Sequence, residues 1–250
     1  NYNYPASSCT AVSPAVMGVT VNPLPTPSVI SGNNSVCQGD QGNVYNTQPG
    51  MLNYDWSVTG GSVSEGGDGF DYVKITWTST GMQTVGINYS DPSTGCMAAD
   101  PDLYHVNVKT LPVPFFLSGD VSACLDVPGH VYTTQPGMLN YIWSISGGEI
   151  NLGGGGLDDY AMVTWNTVGT QTISVGYTDP VTQCAAAGPT GYPVLVKQLP
   201  VPVILSGPVS VCQGSSGHVY TAEPGMHDYT WSVTGGMITD GGTPASNTAT

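Results

Sequence analysis

PGMLNYDWSVTGG, residues 49–61, returns as PGMLNYIWSISGG at 136–148 and as PGMHDYTWSVTGG at 224–236. Trp56, Trp143 and Trp231 are therefore spaced by 143−56 = 87 and 231−143 = 88 residues. That period is too long for a solenoid turn and matches a whole small domain, so the chain reads as a string of near-identical domains. Pro-Gly presets a tight turn, because Pro fixes φ and Gly accepts the positive φ that follows. A period-two run comes next, with Tyr54, Trp56 and Val58 to one side and Asn53, Asp55 and Ser57 to the other. Tyr141, Trp143, Ile145 and Tyr229, Trp231, Val233 repeat the inward set. Aromatic and β-branched residues on one face predict a half-buried strand, with the Trp as a plug between two sheets.

Working outward, residues 24–110 and 111–198 make whole copies. Residues 1–23 read as the end of a preceding copy: NYNYPASSC lines up with INYSDPSTGC. Residues 199–250 open a further one, so the chain is expected to be an internal piece of something longer. LPTP at 24–27 and LPVP at 111–114 and 199–202 mark the boundaries. Alternating Pro stiffens such a spacer, and its brevity predicts a semi-rigid rod.

Copy one is read as seven short strands at 28–31, 43–47, 52–59, 62–64, 72–77, 83–89 and 104–108. Trp77 joins Val73 and Ile75 inward on the fifth, and Trp165 is its counterpart in copy two. Seven strands in under ninety residues, with abundant Gly and Pro and no helical stripe, predict an all-β two-sheet sandwich. The predicted core is built on Trp56, Trp77, Trp143, Trp165 and Trp231.

Six cysteines, at 9, 37, 96, 124, 184 and 212, keep register with the repeat. An even count so placed reads as disulfides made in an oxidising, secreted setting, and no spacing suits zinc. Bridges within a copy, Cys37–Cys96 and Cys124–Cys184, would leave Cys9 and Cys212 to partners outside the piece. Pairing at 28 residues (9–37, 96–124, 184–212) would use all six. On an immunoglobulin-like path, a third option joins Cys37 to Cys184 of the next copy, end to end. The within-copy pairing is favoured, because each copy would then fold alone, with about 4 kcal/mol from loop closure.

Charge is lopsided, with 17 acidic residues against 3 Lys, a net −14, yet only 8% of residues are charged. Nucleic acid and anionic lipid both require a basic footprint and are not expected partners. No apolar run reaches the length of a bilayer span, so membrane insertion is not expected. A largely uncharged polar surface suits an exposed extracellular fibre.

ISG at 30–32, SVCQG at 35–39, YDWSVTGG at 54–61 and TWNTVGTQTISVGY at 164–177 resemble the PKD-like and immunoglobulin-like repeats of giant Bacteroidota surface proteins. The likeness spans the whole chain. It implies tandem immunoglobulin-like (PKD-like) sandwiches, export by the type IX secretion route, and service as adhesins, gliding fibres or contact filaments. It supplies no catalytic residues to carry over. Copy two departs from the pattern at Cys124-Leu125-Asp126, where the others have Cys-Gln-Gly.

Catalytic chemistry is not expected. His130 and His218 share a position that copy one fills with Asn43, His105 aligns with Pro193, and His227 lies on the Trp-strand segment. GSSGH at 214–218 lacks nucleophile-elbow spacing, and GGGG at 153–156 has no Lys after it. No cofactor is expected. Calcium is the one metal to consider, with Asp68, Asp71, Asp91, Asp158, Asp159 and Asp179 as turn carboxylates, but no Ca-loop pattern contains them.

The leading function is a structural stalk of a secreted, cell-surface filament. Its partners would be neighbouring repeats, identical chains in a bundle and a target at a distal tip. An array of glycan- or protein-binding modules is the alternative, with Tyr45, Tyr132 and Tyr220 as the aromatic candidates. A third reading is an accessory segment of a secreted hydrolase.

Overall fold

The computed structural model describes residues 3–4, 9–10 and 13–250. The rest of the preceding-copy fragment lies outside the described residues, as does the side chain of Cys9. Two short strands, β1 (Asn3–Tyr4) and β2 (Cys9–Thr10), pair with Asn3 opposite Thr10. The bridges Ser90–Met97 and Thr178–Ala185 close the corresponding turns of the two whole copies.

The first sandwich runs β3 (Val29–Ser31), β4 (Ser35–Cys37), β5 (Asn43–Thr47), β6 (Leu52–Val58), β7 (Gly61–Gly66), β8 (Tyr72–Trp77), β9 (Gly81–Ser90) and β10 (Asp102–Lys109). Its sheets have the orders β3-β5-β8-β7 and β4-β10-β9-β6. The second sandwich repeats it: β11 (Phe116–Ser118), β12 (Ser122–Cys124), β13 (His130–Thr134), β14 (Leu139–Ile145), β15 (Gly148–Gly153), β16 (Tyr160–Trp165), β17 (Gly169–Thr178) and β18 (Thr190–Lys197). The orders there are β11-β13-β16-β15 and β12-β18-β17-β14. Each copy thus has eight strands where seven were predicted. The extra ones, β4 and β12, run parallel to β10 and β18. They are three residues long, too short for alternation to show.

The chain changes sheets between β3 and β4, at the glycine of the ISG element. A Cβ on Gly32 would lie 2.1 Å from the ring of Tyr45, and one on Gly119 would lie 2.3 Å from that of Tyr132. Only a glycine backbone can press so closely on the ring. Tyr45 and Tyr132 are fully buried, each in edge contact with a fully buried Trp, Trp77 or Trp165. The indole N–H groups donate to the tyrosine hydroxyls at 3.2 and 3.1 Å. Those hydroxyls in turn donate to Asn33 O and Asp120 O, so no polar atom of the pair is left unsatisfied. Burial pushes both phenols up to about 12.

Trp56 is buried and Trp143 half-buried. Their indoles donate to Phe70 O and Asp158 O, tying down the β7–β8 loop in copy one and the β15–β16 loop in copy two. The Pro-Gly turn is clasped from the same strand. Tyr54 Oη donates to Gln48 O and accepts from Met51 N, and Tyr141 does the same with Gln135 O and Met138 N. The strict alternation predicted through Asn53 is broken by a bulge: Asn53 and Asn140 adopt φ of 52° and 51°.

The third copy is a three-stranded sheet, β19 (Ile204–Ser206), β20 (Tyr220–Ala222) and β21 (Thr248–Ala249). The strand predicted through Tyr229, Trp231 and Val233 is not formed, although Tyr229 still clasps its turn and Trp231 still donates to Ser246 O. In copies one and two that strand pairs only with β9 or β17. Residues 199–250 hold no counterpart of β9, so the segment has no strand to pair with there.

Candidate functional site

The residues that stand out are those where copy one meets copy two. Cys37 ends β4 opposite Lys109, the last residue of β10, just before the linker. Its N–H donates to Asp40 Oδ2. Cys184 belongs to the tight turn after β17. There Asp179 N donates to Cys184 O, Gln183 N to Asp179 O, and Val181 N to Asp179 Oδ1. Gln183 holds φ of 60° to close that turn, and Cys184 is fully buried.

These two cysteines form a disulfide, with a Cα–Cα distance of 5.7 Å across 147 residues of sequence. The favoured within-copy bridges, Cys37–Cys96 and Cys124–Cys184, are therefore corrected, as is the 28-residue pairing. Cys96, Cys124 and Cys212 are free thiols. The reason is the length of one strand. Cys37 lies beside Lys109 at one end of β10, while the turn bearing Cys96 lies beyond the other end, where Asp102 pairs with Ile87. Eight residues of strand put those ends about 24 Å apart. A disulfide needs its Cα atoms within about 7 Å. The pole that holds Cys37 faces the following copy, and the turn of that copy supplies Cys184. A second contact spans the joint: Lys109 Nζ donates to Thr182 O at 2.9 Å.

The remaining sequence candidates are not brought together. His130 Nδ1 lies 2.7 Å from Asp120 Oδ2, and His218 Nε2 lies 2.7 Å from Ser215 Oγ in an exposed turn. Ser215 Oγ donates to Cys212 O, and copies one and two carry Asp40 and Val127 at its position, so the pair caps a turn. The acidic candidates are engaged likewise. Asp68 accepts from Trp56 N, Asp91 from Ser93 N and Oγ, and Asp158 from Gly155 N. The Ser93 bonds hold the Asp91 carboxyl below its usual range. Among the described residues no three His, Cys, Asp or Glu side chains converge on a metal position, and no helix is long and apolar enough to cross a membrane.

Tyr45 and Tyr132, candidates for a repeated binding face, are instead core residues. Tyr220 is half-buried. Sequence reasoning missed Lys109 and Thr182. The one available signal was that Lys109 and Lys197 both precede a Leu-Pro-Val-Pro linker by two residues in a chain with so few cations.

Comparison with curated proteins found no match. Among solved structures, the fibronectin(III)-like modules of CbhA from Clostridium thermocellum are 14% identical, over 69% of this chain and 94% of that one, with a TM-score of 0.32. Domains 4 and 5 of the S-layer protein SbsC are 13% identical over 67% and 92%, with a TM-score of 0.25. The D00-D0 domain of Intimin is 11% identical over 68% and 98%, with a TM-score of 0.31. The PKD-like domain family matches residues 23–101 and 198–250, which are copies one and three. That match takes in more than half of the sequence, and the chain belongs to the PKD-like domain family.

Proposed function

We propose that this chain is a stalk segment of a large secreted repeat protein that forms a cell-surface adhesive or contact filament. On this reading it leaves a Bacteroidota cell by the type IX route and has no catalytic or cofactor chemistry of its own. Its work is mechanical: to set reach and to carry tension between an anchor and a distal tip. The observation behind the reading is the bond from Cys37 to Cys184, which ties one copy to the next and would persist only in an oxidising compartment. Tension entering near Cys37 crosses to Cys184 without loading the residues between them. Repetition adds length, and a covalent tie across the joint resists extension.

Burial of Tyr45 and Tyr132 weighs against a repeated aromatic binding face, which leaves the stalk ahead of the binding-array reading. Antibodies raised against this chain, applied to intact source cells and imaged with gold label, should decorate filaments along their length. Label found only inside broken cells, or only at filament tips, would overturn the proposal.

A further inference from the structure

The two unbonded cysteines of the whole copies are presented in the same way as the bonded pair. Cys124 lies opposite Lys197 in β12, as Cys37 lies opposite Lys109 in β4. The next N–H donates to the lysine carbonyl in both, at 2.9 Å from Gln38 and 2.9 Å from Leu125. The one after donates to a Trp carbonyl, from Gly39 to Trp77 O and from Asp126 to Trp165 O, each at 2.7 Å. The change from Gln-Gly to Leu-Asp therefore leaves Cys124 in place. Cys96 copies Cys184: Asp91 N donates to Cys96 O as Asp179 N does to Cys184 O. The Cys96 and Cys184 N–H groups donate to Thr94 and Thr182 Oγ1, both at 3.3 Å. The joint after copy two also repeats the one before it, with Lys197 and then LPVP at 199–202.

We propose that Cys124 and Cys96 are crosslinking sites for further repeats. Cys124 would bond the counterpart of Cys184 in the copy that follows, and Cys96 the counterpart of Cys37 in the copy that precedes. Each bond forms as two thiols give up two protons and two electrons to a disulfide oxidant, which leaves as two thiols. Every joint then carries one bridge, and successive bridges overlap by a copy. Along such a run, tension passes from Cys184 to Cys212 through 212−184 = 28 residues before the next bridge takes it. The joint before copy one would be bridged without the lysine contact, because Asn22 stands where Lys109 stands. This inference rests on the tandem-array reading above, but not on where the array is displayed.

The test is differential alkylation and peptide mapping. In the oxidised chain, Cys96, Cys124 and Cys212 should take a first thiol reagent, and Cys37 and Cys184 should take the second reagent only after reduction. A chain extended after Thr250 by its own residues 163–198 completes copy three and adds a counterpart of Cys184. There Cys124 should lose the first label and appear in one linked peptide with the added cysteine. Cys124 still alkylated, or the added cysteine bonded to Cys212, would overturn the proposal. Cys37→Ser in the 250-residue chain needs no extension. It leaves Cys124 and Cys184 as thiols in one copy, and they should stay unbonded. A Cys124–Cys184 bridge, seen as a loss of about 2 Da, would refute the end-to-end geometry. Absence of surface filaments in the antibody experiment would defeat the stalk reading and leave this map untouched.

Discussion

Reducing the Cys37–Cys184 bridge should lengthen the fully stretched chain by a single large increment. With the bridge intact, a pull on the chain ends bypasses residues 38–183, because the load jumps between Cα atoms 5.7 Å apart. The bridged residues are 147 apart in sequence, and at about 3.4 Å per extended residue their release adds about 500 Å. The assay is single-molecule force spectroscopy with handles at the termini, run with and without a thiol reductant. Without reductant, neither whole sandwich should contribute its hidden length. With reductant, unfolding of both should add up to the full increment. Within-copy bridges would hide 96−37 = 59 and 184−124 = 60 residues separately. Their reduction would release two lengths of about 200 Å each. That outcome, or equal lengths in the two conditions, would refute the end-to-end tie and the tension path drawn from it.

Gly119→Ala places a methyl 2.3 Å from the Tyr132 ring and should cost about 1–3 kcal/mol in a urea titration, whereas Gly188→Ala should cost less, since a Cβ there meets nothing within 4 Å and the backbone is outside the positive-φ region. Trp165→Ala should cost about 3–5 kcal/mol by the same titration, because it empties a fully buried site and strands the Tyr132 hydroxyl contact. Cys184→Ser should lower stability by up to about 5 kcal/mol in the chain-entropy model and split one unfolding transition into two, read by calorimetry. Tyr45 and Tyr132 titrate at about 12 when folded and near 10 when unfolded, so the unfolded chain loses those protons first. Stability should hold below pH 10 and fall between 10 and 12, as followed by denaturant midpoints; a flat profile there would count against their burial. The Asp91 carboxyl, depressed by Ser93, acts in the opposite direction: its contribution is present above the usual carboxylate range and is lost as pH falls, observable as a low NMR titration midpoint that Ser93→Ala raises.

The period, the sandwich class and the inward faces of the longer strands are local properties, and they could be read from residues alone. Val73, Ile75 and Trp77 alternate because a strand has a two-residue repeat, whatever surrounds it. The Pro-Gly turn could be read for the same reason, since Gly50 takes its positive φ from the two residues themselves. Three features could not. Tyr45 belongs to the core because Gly32, thirteen residues earlier, lets the backbone lie on its ring. The Trp231 segment forms no strand because pairing needs a neighbour like β9 or β17, and residues 199–250 form none. The partner of Cys37 was decided by the length of β10, which carries the two cysteines of one copy to opposite poles. Spacing in sequence records how much chain lies between two sulfurs, and a covalent bond depends on where that chain has gone.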